Sequence, residues 1–238
     1  MKQERIPGVL GGMGPEATID FMSRILQLSP AKSDQDHLRL LIDQNPQIPN
    51  RHAAITGKAP SAGPLLASMA VGLERAGADF LVMTCNSAHA FQSDIEQATS
   101  IPFLSMIEMV LQEINERHPG VERVGIMAAH GCLDAQLYQQ AVEAGGRKSI
   151  LWNSAEIKQF MQDVYRVKSG ILDSAVHESM LELGESLRRR GAEVLVAGCT
   201  EIPLVINPED FAIPLLSSTD ILARYTMDYA LGKRALPQ

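Results

Sequence analysis

The chain has 238 residues, 45% of them hydrophobic and 21% charged, enough apolar content for one large or two small cores. A formal net charge of −7 argues against a nucleic-acid or anionic-membrane partner. No apolar run approaches the roughly eighteen residues that span a bilayer, and the opening segment Met1–Gly8 lacks the apolar core of a secretory leader. Three cysteines are an odd number with no CxxC pair, so neither a disulfide framework nor a zinc site is expected. A reducing cytoplasm fits.

Ile6 to Leu10 reads as a short buried strand. Gly11-Gly12-Met13-Gly14 follows, and Pro15 suits the first turn of a helix faced by Ile19, Met22, Ile25 and Leu26. A strand, a Gly-rich turn and a helix often offer backbone N–H groups to an anion. The turn has neither GxGxxG spacing nor a GK[ST] ending, so a small carboxylate suits it better than a nucleotide. Leu38 to Ile42 is a second strand, opening onto Asp43 to Arg51. Two prolines stop that strand from continuing. Arg51 ends the loop as a fork for a carboxylate or as a solvated surface arginine; the loop alone leaves both open.

Pro64 starts a helix with Leu65, Leu66, Met69, Ala70 and Leu73 on one face, ending at Gly77. Phe80 to Met83 is a third strand, apolar throughout as buried parallel strands are. Cys85 stands just past its end, where open α/β sheets bind ligands. Asn86 and Ser87 start the next helix beside it, and a thiol at a helix N-terminus is expected to be more acidic than usual. His89 follows one turn on, either tuning that thiol or satisfied structurally. Ile101 to Ser105 is a fourth strand.

The chain then repeats itself. Arg75 to Asn86 (RAGADFLVMTCN) echoes Arg189 to Thr200 (RRGAEVLVAGCT) at a separation of 114, with six of twelve positions identical. Ile6 to Leu10 is echoed by Arg123 to Met127 at 117, and Ile101 to Ser105 by Ile213 to Ser217 at 112. Three elements in one order at nearly constant offsets imply an internal duplication; a solenoid would need more units. Between the echoes lie a strand at Ser149 to Trp152, a helix capped by Ser154, and a long amphipathic helix from Leu172 to Leu187. Strands alternating with helices indicate α/β architecture with largely parallel sheets. We therefore expect two pseudo-symmetric Rossmann-like domains, with parallel sheets of the four-stranded type and an active-site cleft between them. Their expected bounds are residues 1–103 plus 213–238, and 104–212.

The duplication pairs Cys85 with Cys199. Cys132 corresponds to Pro15 and has no mate, so it reads as a structural thiol. Two symmetric thiols suit a nearly mirror-symmetric reaction, such as inverting a stereocentre. One thiolate removes the α-proton from one face and the other thiol delivers a proton to the opposite face. A thiol's ordinary pKa of about 8.5, expected to be lowered somewhat by a helix N-terminus at Cys199 as at Cys85, allows both duties near neutral pH. The carbanion between the two steps needs N–H donors and cations around the substrate carboxylate.

At these residues the chain resembles the cofactor-independent aspartate/glutamate racemases, most nearly the archaeal-type aspartate racemases. The likeness rests on GVLGGMGPEAT (8–18), NPQIPNR (45–51), TCNSAHAF (84–91) and AGCTEIPL (197–204) and covers almost the whole chain. It implies Cys85 and Cys199 as the catalytic pair, with Cys199 taking the proton from the L-isomer and Cys85 from the D-isomer. Arg51 and Lys168 would hold the substrate carboxylates, and Asn86, Ser87 and Thr200 would supply donors. Met13 and Glu201 complete the implied substrate-binding set. The resemblance further implies an acidic amino acid as substrate, no cofactor, no metal and a homodimer. Thr84 stands where the family often has proline, Ser87 where it has threonine, and Asn50 where many members have Asp. The spacing from Tyr165 to Lys168 is one residue short of the usual pattern. Related scaffolds racemise hydantoins, decarboxylate or isomerise small carboxylates, and a carboxylate binder with inert thiols is the non-enzymatic alternative.

Overall fold

A computed structural model describes residues 5–237. Residues 1–4, which open the segment read above for a leader, lie outside it. Among the described residues no helix is long and apolar enough to cross a membrane.

The chain divides into two compact units, residues 1–106 with 219–238, and residues 107–218. The first crossing falls close to the expected 103/104. The second falls later than 212/213, because the strand at Leu215 to Ser217 is hydrogen-bonded into the second unit's sheet and holds residues 213–218 there.

The first unit runs β1 (Pro7–Gly11), α1 (Pro15–Leu28), β2 (Leu41–Gln44), α2 (Arg51–Ile55), α3 (Gly63–Arg75), β3 (Phe80–Met83) and α4 (Gln92–Ala98). Its sheet has the order β2-β1-β3, all parallel. The expected fourth strand shrinks to one bridge, Leu81 to Phe103. Leu81 still makes both ladder bonds there, to the Pro102 carbonyl and from the Leu104 N–H, each 2.8 Å. The second strand starts later than its apolar letters predict, at Leu41 rather than Leu38. A core of Leu10, Leu66, Ala70, Leu81, Met83 and Ile95, among others, fills this unit.

α5 (Met106–Arg117) leads into the second unit. There follow β4 (Arg123–Ala128), α6 (His130–Asp134), α7 (Leu137–Ala144), β5 (Lys148–Ile150), α8 (Ser154–Lys168), α9 (Ser174–Arg189), β6 (Val194–Gly198) and β7 (Leu215–Ser217). α10 (Ser218–Ala230) returns the chain to the first unit. The second sheet is fully four-stranded, in the order β5-β4-β6-β7, again all parallel. The expected strand at Ser149 to Trp152 ends at Ile150, and Trp152 instead donates its indole N–H to the Leu183 carbonyl at 2.9 Å. The cap of α8 is Asn153, one residue before the expected Ser154; its side chain accepts from Ala155 and Glu156 while Glu156 answers the Asn153 N–H.

The two sheets share their packing in detail. Gly8 and Gly125 occupy the same cage. A Cβ on Gly8 would meet Leu81 Cδ2 at 2.8 Å and Ala78 Cβ at 2.9 Å. A Cβ on Gly125 would meet Leu195 Cδ2 at 2.7 Å and Ala192 Cβ at 2.9 Å. Glycine is required at both because the C-terminal end of α3, through Leu73 and Ala78, or of α9, through Leu187 and Ala192, turns in directly over the strand. That turn is also repeated. Gly77 and Gly191 have φ of +96° and +95°, a left-handed conformation that closes α3 and α9. Each N–H reaches back three residues and the next N–H five, to Leu73 and Leu187 respectively. An acid then ties each first strand down: Asp79 accepts from the Ile6 N–H at 2.6 Å, and Glu193 from the Arg123 N–H at 3.0 Å.

Candidate functional site

In the first unit, β1 lies between β2 and β3 in parallel register. Three loops therefore leave the same edge of the sheet: Gly12 to Gly14, Asn45 to Asn50, and Thr84 to Ser87. The Gly-rich turn is less open to an anion than its letters predict. Gly12 already donates its N–H to Thr18 Oγ1 at 2.9 Å, and Thr18 Oγ1 lies 3.1 Å from Thr84 Oγ1. Thr18 and Thr84 are both fully buried. This hydroxyl pair fastens the turn to the residue immediately before Cys85.

Cys85 is 7% exposed and packs within the core that also contains Leu10, Met13 and Ile48. Met13 is a buried core side chain. Asn86 is buried and Ser87 half-buried; Ser87 opens a 3-10 turn, Ser87–Phe91, in place of the expected α-helix start. His89 does not bond the thiol. Its Nδ1 bonds the Cys85 carbonyl at 2.9 Å, and its Nε2 accepts the Met106 N–H at 3.0 Å. Those partners require a neutral ring protonated on Nδ1. Burial lowers its pKa from 6.5 to about 4. His89 is a structural clamp that fixes the backbone of Cys85.

Arg51 is the first residue of α2, whose N-terminus is capped by Asn50 accepting from the Ala53 N–H at 3.1 Å. Asn serves that cap as well as Asp would. Arg51 Nη1 donates to the carbonyls of Ile48 and Pro49, each at 2.9 Å. One corner of the guanidinium is thus pinned to its own loop, which preorients the rest of the fork at low entropic cost.

In the second unit, Cys199 is the first residue past β6, where Cys85 is the second past β3. The surroundings differ. Cys199 Sγ donates to Glu201 Oε2 at 2.9 Å, and Thr200 Oγ1 lies 3.4 Å from the same oxygen. Lys168, the last residue of α8, forms an ion pair with Glu201 through Oε1. Glu201 thus bridges a cation and a thiol while itself only 5% exposed. The acidity expected of Cys199 at a helix start is reversed. Burial first, and then Glu201, push its pKa well up, with Lys168 acting in the opposite direction. The following 3-10 turn, Ile202–Leu204, is too short to offset this.

Tyr138 was not legible as a neighbour of this thiol. It is fully buried and its ring sits where a Cβ on Gly198 would lie, 2.7 Å from Cε2. Burial holds its phenol well above the ordinary tyrosine range. Cys132 is wholly buried in α6 and acts on Tyr138 rather than standing at a strand end. All three cysteines are free thiols.

The family model for Asp/Glu/hydantoin racemases matches residues 10–226. The chain belongs to that family of isomerases. A curated relative, the broad specificity amino-acid racemase RacX of Bacillus subtilis (strain 168), is 26% identical over 237 residues, covering 94% of this chain and 98% of that protein. Among solved structures, the Picrophilus torridus aspartate racemase is 24% identical with a TM-score of 0.84, over 98% of this chain and 96% of the other. An aspartate racemase homologue from Pyrococcus horikoshii OT3 is 25% identical with a TM-score of 0.78, over 95% and 99%. These likenesses carry the α/β fold with its parallel sheets.

Proposed function

We propose that this protein is a cofactor-independent racemase of an acidic amino acid, aspartate or glutamate, using Cys85 and Cys199 as its two acid–base groups. The observation that carries the proposal is the repeated placement of a thiol within two residues of the end of a parallel strand, in two units that share their packing. Cys132 has no such position and stays outside the chemistry.

In each direction one thiolate takes the α-proton, and the electron pair is left on the α-carbon and delocalised into the carboxylate. The other thiol gives its proton to the opposite face and becomes the thiolate. The two sulfurs have then exchanged protonation states, and water resets them. In the L-to-D direction Cys199 is the base; in the D-to-L direction Cys85 is. Arg51, with one corner anchored, and Lys168 hold the two carboxylates. An ammonium has three donors, so Lys168 can serve a substrate carboxylate while still bonded to Glu201. Asn86, Ser87 and Thr200 add hydrogen bonds that strengthen as charge develops. Free thiols fit a cytoplasmic enzyme, and a homodimer belongs to the same reading.

The test incubates the protein with L- and D-aspartate and with L- and D-glutamate and follows enantiomer composition by chiral chromatography. Interconversion of at least one pair is expected; an unchanged composition with all four would sink the substrate class.

A further inference from the structure

The carboxylate of Glu201 is buried and engaged through both of its oxygens. One oxygen accepts from the Cys199 thiol at 2.9 Å and is 3.4 Å from the Thr200 hydroxyl; the other meets the Lys168 ammonium. We propose that Glu201 is a positioning residue, which orients the Cys199 S–H, holds it as the resting proton donor and neutralises Lys168. This rests on the reading of Cys199 as one of the acid–base pair.

The argument is one of geometry and charge. An S–H is a weak donor with a freely rotating hydrogen, so an unpartnered thiol has no fixed proton. A buried carboxylate at hydrogen-bond distance gives it one direction and disfavours its ionisation, since two anions would then share one oxygen's neighbourhood. Lys168 opposes this from the other carboxylate oxygen. The titratable groups facing Cys199 are Glu201, Lys168 and the Tyr138 phenol, which burial keeps neutral. In the first unit the position two residues beyond Cys85 is Ser87, so no carboxylate plays this part there.

The test is the pH dependence of Cys199 alkylation by iodoacetamide, resolved by peptide mass spectrometry, in the wild type, Glu201→Gln and Lys168→Met. Glu201→Gln should move the half-point down by about one pH unit or more, and Lys168→Met should move it up. A merely structural role would loosen the site and move both variants the same way. An unchanged or raised half-point in Glu201→Gln, or shifts of one sign in both, would overturn the proposal. If Glu201→Gln does not fold, Lys168→Met decides alone: a rise supports the bridge, and a fall or no change rejects it. The readout needs no turnover, so a protein inactive on all four acidic isomers would refute the substrate reading and leave this result standing.

Discussion

The two units agree at the beginnings of their strands and disagree at the ends. Gly8 and Gly125 sit in cages that match to within about 0.1 Å, beneath helix ends with the same left-handed glycine. Past the strands the likeness stops. Cys85 follows a threonine bonded to Thr18 and has its backbone clamped by a neutral histidine. Cys199 follows a glycine pressed by Tyr138 and donates a hydrogen bond to Glu201. The duplicated part is what packing demands, where one added carbon collides with a neighbour. The diverged part is where side chains can change without disturbing the sheet. Two thiols at matching positions thus have unlike surroundings.

The comparison breaks most severely at the thiols. Cys85→Ala and Cys199→Ala should each lower kcat by about 10²–10⁴-fold or more, because each direction needs both a base and an acid. Cys132→Ala, in a folded variant, should retain most turnover. Equal losses at all three cysteines would mean that strand-end placement does not select the chemistry.

A second contrast is in acid. His89 has a pKa of about 4 in the fold against about 6.5 unfolded. Between those values the unfolded chain binds more protons, so stability falls as pH drops through that window and is fully present above it. The loss should approach the order of 3 kcal/mol below pH 4. The matching position in the second unit is Pro203, which cannot titrate. Denaturant titrations from pH 7 to pH 4 should show a flatter profile for His89→Gln, from a lower starting stability; an equally steep profile would remove His89 as the cause.

The shared frame gives the next effect. Gly8→Ala and Gly125→Ala should each destabilise by about 1–3 kcal/mol, through overpacking against Leu81 or Leu195. Urea unfolding measures both, and a clearly unequal pair would show that the cages are alike only in shape. The smallest expected effect is at the acids beneath the first strands. Glu193→Gln should cost more than Asp79→Asn, since Glu193 gathers the Glu122 and Arg123 N–H groups and the Arg123 guanidinium. Thermal denaturation orders the two, and the reverse order would argue against that convergence.

The repeated letters were enough to read the duplication, because identical residues such as Gly77/Gly191 and Leu81/Leu195 occupy identical structural roles. Alternating apolar runs and glycines located the helices and most strands. Local chemistry was harder to read. The Thr18–Thr84 bond joins residues 66 apart and leaves no periodic trace. The pKa direction of Cys199 depends on burial and on a carboxylate two residues away, whereas a helix N-terminus is visible in sequence and pulled the expectation the other way. Glu201 was legible as a site residue but not as a bridge, since its partner Lys168 lies 33 positions earlier.

The central claim is that two different thiols handle the proton on the two faces of one substrate. It is tested most directly by starting from a single enantiomer in heavy water and analysing both enantiomers at low conversion. The two-thiol account predicts solvent deuterium at the α-carbon of the newly formed enantiomer and almost none in the remaining starting material. Deuterium appearing equally in both from the outset would show a single base exchanging its proton with solvent, and would contradict it.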